Sequence, residues 1–353
     1  MAYTTIDDPS AHFQTLIYTG NGGASRALTN DGNSDLQPDW LWIKKRNASR
    51  SHTLTDSSRG LTKYNEADDN GAEGTFTDKV LSVQSDGFTV GDNSSVNATS
   101  DTYVAWQWKA NGGTTTTNDA SSTSVGTIDS VYQANTTAGF SIVTYTGTGS
   151  AGTIAHGLGV APTVIIGKDR SDTSQWFVQH PALGATHYGE LDDTTAFADD
   201  ANYFNDSTPT STVFGVGSDG ATGGTTNYVA YCFAPIQGYS KFGHYEGNNN
   251  ADGPFIYTGF KPAWVMVKAS SESGQAWVIG DNKRDPDNVA VAKLFANASS
   301  AESAAAGDNN WDFLSNGFKI RTQDDAMNKS GVTFIYMAFA ESPFVSSKGV
   351  PTT

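Results

Sequence analysis

The stretch Pro38-Asp39-Trp40-Leu41-Trp42-Ile43-Lys44 decides how this chain is read, because the same strand is written twice more. It returns as Pro162-Thr163-Val164-Ile165-Ile166-Gly167-Lys168 and as Pro262-Ala263-Trp264-Val265-Met266-Val267-Lys268. A second block recurs in the same order: SDGF ending at Phe88, STVF ending at Phe214 and SNGF ending at Phe318. A third closes each unit, as YVAWQWKA from Tyr103, YVAYCFAP from Tyr228 and FIYMAFAE from Phe334. A repeat sets the period against which each single residue is weighed. The expected fold class is all-β, with three tandem β-sandwich, jelly-roll-like domains of about 100 residues each.

Working outward, the Pro-to-Lys strand carries bulky residues on both faces. Trp40 and Trp42 lie opposite Leu41 and Ile43, and Trp264 and Met266 opposite Val265 and Val267. That is the pattern of a central strand, whose terminal Lys is expected to lift its ammonium into water. The closing strand alternates strictly. Val104, Trp106 and Trp108 share a face, as do Val229, Tyr231 and Phe233, and Ile335, Met337 and Phe339. This large face is expected to pack on a second sheet, leaving Ala105, Ala230 and Ala338 on the other side. Tyr336 departs from the pattern, standing where the other units have Ala105 and Ala230.

These boundaries divide the chain into an N-terminal arm (1–12), repeat 1 (13–110), a linker (111–139), repeat 2 (140–238), and repeat 3 with a C-terminal tail (239–353). The linker opens NGGTTTTNDASSTSVG and reads as flexible, while TIDSVYQANTTAGF has strand character enough to add a strand to repeat 2. Repeats 2 and 3 are joined only by Pro235-Ile236-Gln237-Gly238. They are expected to form a rigid pair, with repeat 1 more independently mobile.

The 353 residues include 37 acidic and 21 basic side chains, a net charge of −16. Such a balance repels a phosphate backbone, so no nucleic-acid partner is expected. The single cysteine, Cys232, rules out an internal disulfide and a Cys-rich zinc site. The opening MAYTTIDDPS has no basic, apolar leader, and no apolar run approaches the ~20 residues of a membrane span. The expectation is synthesis in the cytoplasm without membrane insertion.

Each chemistry-bearing motif has a plainer reading. Gly147-Thr148-Gly149-Ser150-Ala151-Gly152 matches G-x-G-x-x-G, but no helix pattern follows to hold a pyrophosphate, so it reads as a turn. Asp31-Gly32-Asn33-Ser34-Asp35 opens like a calcium loop, yet Leu36 and Trp42 stand where an EF-hand wants Gly and Glu. A looser calcium site stays open there, while Asp68-Asp69-Asn70 and Asp308-Asn309-Asn310 read as solvated turns. His52, Asp56 and Arg59, beside Ser57 and Ser58, suggest an acid–base cluster. Trp176 and Trp277 take the place of His52 in the other repeats, which makes the position one of packing. Asp192-Asp193 and Asp199-Asp200 could supply a glycosidase carboxylate pair, but nothing equivalent recurs. Cys232 reads as a small buried side chain, and the six histidines lack ligand spacing. Sequons such as Asn47-Ala48-Ser49 mean little without a secretory route. No catalytic residue, cofactor or metal is expected, and the receptor-binding residues stay unassigned.

The runs AGFSIVTYTGTGSAGTIAHGLGVAP, YVAYCFAPIQGYSKFGHYEGN, DGPFIYTGFKPAWVMVK and FLSNGFKIRT with FIYMAFAESPF resemble a repeated domain of tailed-phage virion proteins, common in marine phages. The opening YTTIDDPSAHFQT is similar to the start of such proteins, so the resemblance spans nearly the whole chain. It implies a non-enzymatic virion structural protein, most simply a tail fibre or receptor-binding component. The alternatives are a head-decoration or head-fibre protein and, further off, a polysaccharide depolymerase. The implied partners are other virion proteins of tail or capsid, a host-surface glycan, and further copies of the chain in a homo-oligomer.

Overall fold

The structure, a computed structural model, describes residues 3–304 and 310–352; Asp308 and Asn309 of one acidic turn lie outside the described residues. Antiparallel strands dominate, as the β-branched, aromatic and Gly-rich composition requires. In repeat 1, β1 (Phe13–Thr19), β2 (Trp40–Lys45), β3 (Thr53–Asp56) and β4 (Thr102–Trp108) form a sheet in the order β1-β4-β2-β3. Repeat 2 supplies β5 (Ser130–Asn135), β6 (Phe140–Thr146), β7 (Val164–Asp169), β8 (Phe177–Gln179) and β9 (Asn227–Phe233). These run β5-β6-β9-β7-β8 inside an eight-stranded sheet. Repeat 3 gives β10 (Ser240–Glu246), β11 (Phe260–Ala269), β12 (Val278–Asp281) and β13 (Thr333–Pro343), in the order β10-β13-β11-β12. The order opening strand, closing strand, Pro-to-Lys strand, following strand is thus drawn three times. The Pro-to-Lys strand is interior each time.

A smaller layer lies on one face of each main sheet. In repeat 1 it is Arg26–Leu28, Gly87–Val90 and Val80–Gln84; in repeat 2, Gly152–Ala155 and Val213–Val216; in repeat 3, Phe255–Tyr257, Gly317–Ile320 and Trp311–Leu314. The shared Phe of the second sequence block is the anchor of that layer. Phe88, Phe214 and Phe318 are each completely buried, one in each of three separate cores.

The closing-strand faces are the reverse of the sequence expectation. Ala105, Ala230 and, in repeat 3, Tyr336 and Ala338 face the smaller layer. The large faces, with Trp106, Trp108, Tyr231, Phe233, Met337 and Phe339, meet in a fourth core built from all three repeats. Trp40 stacks on Tyr231 with ring centroids 4.2 Å apart, Phe233 lies 5.8 Å from Phe339, and Trp108 lies 5.7 Å from Trp264. Three sheets converging on one centre leave a wider space than two layers do, and the aromatic residues fill it.

This arrangement corrects the expected mobility of repeat 1. Its Trp40, Trp42, Trp106 and Trp108 are all at most 1% exposed within the common core. Nor is the stretch 111–139 a bare linker. It holds strand Thr116–Asn118, a helical turn Ala120–Thr123 capped by Asp119, and β5, which pairs with β6 from Ser130↔Tyr145 to Asn135↔Phe140. The arm is docked as well: Ile6 enters the common core, and Asp8 caps a 3-10 turn at Pro9–Ala11.

Candidate functional site

The chemistry-bearing side chains collect at three seams between repeats, and they are built on one plan. The His52 backbone N–H donates to Asp68 Oδ1 at 2.8 Å, Trp176 N–H to Asp192 Oδ1 at 2.9 Å, and Trp277 N–H to Asn297 Oδ1 at 2.9 Å. Each ring then crosses to the preceding repeat. Trp176 Nε1 donates to the Glu66 carbonyl at 2.9 Å and Trp277 Nε1 to the Glu190 carbonyl at 2.8 Å. His52 Nε2 meets the Phe295 carbonyl at 3.0 Å, so repeat 1 closes back onto repeat 3. Its Nδ1 accepts from Trp42 Nε1 at 2.7 Å, and burial lowers the His52 pKa to about 4. His52 is a neutral packing residue.

Asp56 and Arg59 do come together, as a buried ion pair at 2.5 Å with both side chains fully inaccessible. Tyr231 of repeat 2 donates to Asp56 at 2.8 Å, and Glu73 bridges Arg59 at 2.9 Å and Arg170 at 2.8 Å. Burial pushes the Glu73 carboxyl upward, but the Arg170 hydrogen bond and the two guanidinium charges outweigh it and hold the carboxyl low. The seam between repeats 3 and 1 repeats this design. Asp281 pairs with Arg284 at 2.5 Å, Trp106 Nε1 donates to Asp281 at 2.9 Å, and Glu302 bridges Arg284 and Arg46, each at 2.8 Å. At the third seam the same places hold His180, Leu183, Met337, Phe197 and Ser270. The correspondence of Phe197 rests on its N–H to Ser270 carbonyl bond, which matches Glu73 to Arg170 and Glu302 to Arg46. Among the described residues one seam therefore lacks the buried carboxylate–guanidinium network that the other two carry.

The Lys of each repeat departs from expectation too. Lys44, Lys168 and Lys268 are fully buried, and burial lowers each pKa to about 8. Lys44 Nζ donates to the Ser300 carbonyl of repeat 3 at 2.9 Å, and Lys268 Nζ to the Thr194 carbonyl of repeat 2 at 3.2 Å. Lys168 donates to its neighbour's carbonyl, Asp169 O, at 2.8 Å. Sequence reasoning missed the burial of these cations, two of which reach across a seam. Their signal was their threefold recurrence at the end of an interior strand.

The remaining motif residues are scattered. Gly147–Gly152 forms a turn before strand Gly152–Ala155, with Gly149 at φ +74. Asp31 pairs with Lys283 across a seam at 2.8 Å. Asp200 caps the helical turn Ala201–Phe204, and Asp192, raised to about 7 by burial, has the capping role described above. Cys232 is buried within β9, which raises its thiol pKa. Ser57 Oγ is engaged, donating to Asp39 and accepting from Gln133. Among the described residues no three His, Cys, Asp or Glu side chains are placed to hold a metal ion. No described helix is long and apolar enough to cross a membrane.

A cavity of about 470 Å³ lies beyond the Lys end of β7, lined by Asp169, Asp172, Thr173, Ser174, Asp219 and Thr225 among others. Asp169 is held by Ser171 N–H at 2.7 Å and Thr226 Oγ1 at 2.8 Å, and Asp219 accepts from Ala221 N–H at 2.7 Å. Carboxylates fixed by backbone turns, among hydroxyls and glycines, suit a polar, hydroxyl-rich ligand. The lining holds no histidine to activate Ser174 or a threonine.

Fold and site together define an all-β protein whose fully buried ion pairs lie at the seams between repeats. The chain belongs to the family described as a domain of unknown function, DUF7483, which it matches over residues 8–343. That match takes in all three repeats. No curated protein matches the chain.

Proposed function

We propose that this chain is a non-enzymatic component of a tailed-phage virion, a tail fibre or receptor-binding protein that attaches to a host-surface glycan. In this reading the three repeats are tandem jelly-roll-like sandwiches locked together as a scaffold. The observation that carries it is the division of labour among polar residues. His52, Asp56, Arg59, Glu73 and their counterparts are consumed by the seams, while the open 470 Å³ cavity offers hydrogen-bonding groups without a nucleophile–base pair. Sites that bind without reacting need only such placed polar groups. Several chains per particle would multiply weak contacts.

Two experiments test the proposal. Immunogold labelling of purified particles should mark the tail, and labelling confined to capsid faces would assign the chain to head decoration. Titration of host-surface polysaccharide should show binding that weakens when Asp219→Ala and Asp172→Ala are combined. Release of oligosaccharide by the purified protein would instead establish a depolymerase.

A further inference from the structure

The three opening strands β1, β6 and β10 are equivalent, yet their outer edges are treated differently. In β1 the bonds Lys109 N–H to His12 O and Gly20 N–H to Asp101 O place the even-numbered residues on the ladder with β4. The N–H and C=O groups of Phe13, Thr15 and Ile17 therefore point away from β4. Among the described residues none of them meets another partner. In repeat 2 the equivalent outward groups, on Phe140, Ile142 and Thr144, are paired by β5. In repeat 3 the edge strand β10 pairs with β13 alone among the described residues, but it carries Lys241, Gly243, His244 and Glu246. Charges and glycine on an edge discourage the addition of another strand. β1, of sequence FQTLIYT, has no charge, no Gly and no Pro.

A cleft adjoins the β1 edge. It measures about 360 Å³ and is lined by Phe13, Gln14 and Thr15 on one side and by Ala263, Asn282 and Lys283 of repeat 3 on the other. Among the described residues Thr15 Oγ1, buried at its wall, meets no hydrogen-bond partner. The equivalent place at the seam between repeats 1 and 2 is filled by the chain itself. There Gln133 of β5 donates to Ser57 and Ser58 Oγ, both at 2.9 Å. Asn282 and Lys283 hold the positions of Ser57 and Ser58, counted from Asp281 and Asp56.

We propose that the β1 edge is a docking site for an extended segment of a neighbouring polypeptide, which adds to the sheet of repeat 1 as β5 adds to that of repeat 2. The incoming strand is uncharged and β-branched or aromatic. It places an amide side chain opposite Thr15, where it reaches Asn282 and Lys283 as Gln133 reaches Ser57 and Ser58. Backbone pairing supplies affinity, and that amide supplies register. The occupant is another polypeptide, and the site is independent of the glycan cavity of repeat 2.

The probe is a synthetic, end-capped peptide with the sequence of residues 130–137, SVYQANTT, added to the full chain and followed by hydrogen exchange and fluorescence titration. Protection of the Thr15 and Ile17 amides is expected to appear with saturation. Ile17→Pro removes only an outward N–H, so the fold is kept and peptide affinity falls about tenfold, as the loss of one backbone hydrogen bond implies. Should that variant fold poorly, Ile17→Lys sets a charge on the edge and is expected to weaken binding likewise. Absence of protection at millimolar peptide overturns the proposal. So does binding indifferent to both variants, or protection of the two amides already present in the free chain through pairing with a second copy.

Discussion

At the scale of single residues, the seams set up a natural experiment in buried charge. Removing one member of a buried ionic network leaves its partners unpaired, so Arg59→Leu alone is expected to cost about 3–5 kcal/mol. The seam without that network shows what should repair the loss. Combining Asp56→His, Arg59→Leu, Glu73→Phe, Arg170→Ser and Tyr231→Met copies the residues of the third seam. That set is expected to recover most of the loss, read from urea-unfolding midpoints. A five-residue variant as unstable as Arg59→Leu would show that the seams are not equivalent.

The buried bases give stability a pH signature at both ends. Lys44, Lys168 and Lys268 titrate near 8 when folded against an ordinary 10.5, so between those values the unfolded chain holds more protons. Stability is therefore expected to rise as pH climbs from about 8, until tyrosines raised by burial begin to oppose it near pH 10. His52, His156 and His180 fall by burial from 6.5 to about 4. The stability tied to their neutral forms is present above pH 6.5 and is lost as pH falls through about 4. Denaturation midpoints at a series of pH values would check both limbs. A flat profile from pH 8 to 10 would place the three ammonium groups in water.

Among the strands, much was legible. Strict alternation in YVAWQWKA and its counterparts separated two distinct faces of the closing strand, and the bulky residues on both sides of the Pro-to-Lys block marked that block as a central strand. The direction of those faces was not legible. Alternation sorts Trp106 from Ala105 but is silent about which neighbour each side meets, and here both sides are buried. A third sheet was needed to draw the large residues away from the smaller layer. The polar run at 111–139 misled for a related reason. Thr, Ser and Gly read as flexible, whereas Gln133 Oε1 accepts the N–H groups of Asn111 at 3.0 Å and Gly113 at 2.7 Å and fixes the segment. Gln133→Ala is expected to destabilise the protein by about 1–3 kcal/mol, the cost of leaving buried donors unsatisfied. Unchanged melting would mean that β5 is held by its ladder alone.

For the molecule as a whole, the repeats close as a cycle of three. Repeat 2 leans on repeat 1 through Trp176, repeat 3 on repeat 2 through Trp277, and repeat 1 on repeat 3 through His52. The candidate site was the least legible feature. Its cavity is lined by the end of β7 and by turns that lie outside the three repeated blocks, and carboxylates on turns look alike whether or not they line a pocket. The central claim is that one common core makes the three repeats a single unit. Trp108→Ala, which empties part of that core, is expected to cost about 3–5 kcal/mol across the entire protein.

Calorimetry of the intact chain tests that claim most directly. A single transition, with equal calorimetric and van't Hoff enthalpies and one shift of the whole peak in Trp108→Ala, is the predicted result. Two or three resolved transitions, with only the first repeat's transition moved by the substitution, would contradict it.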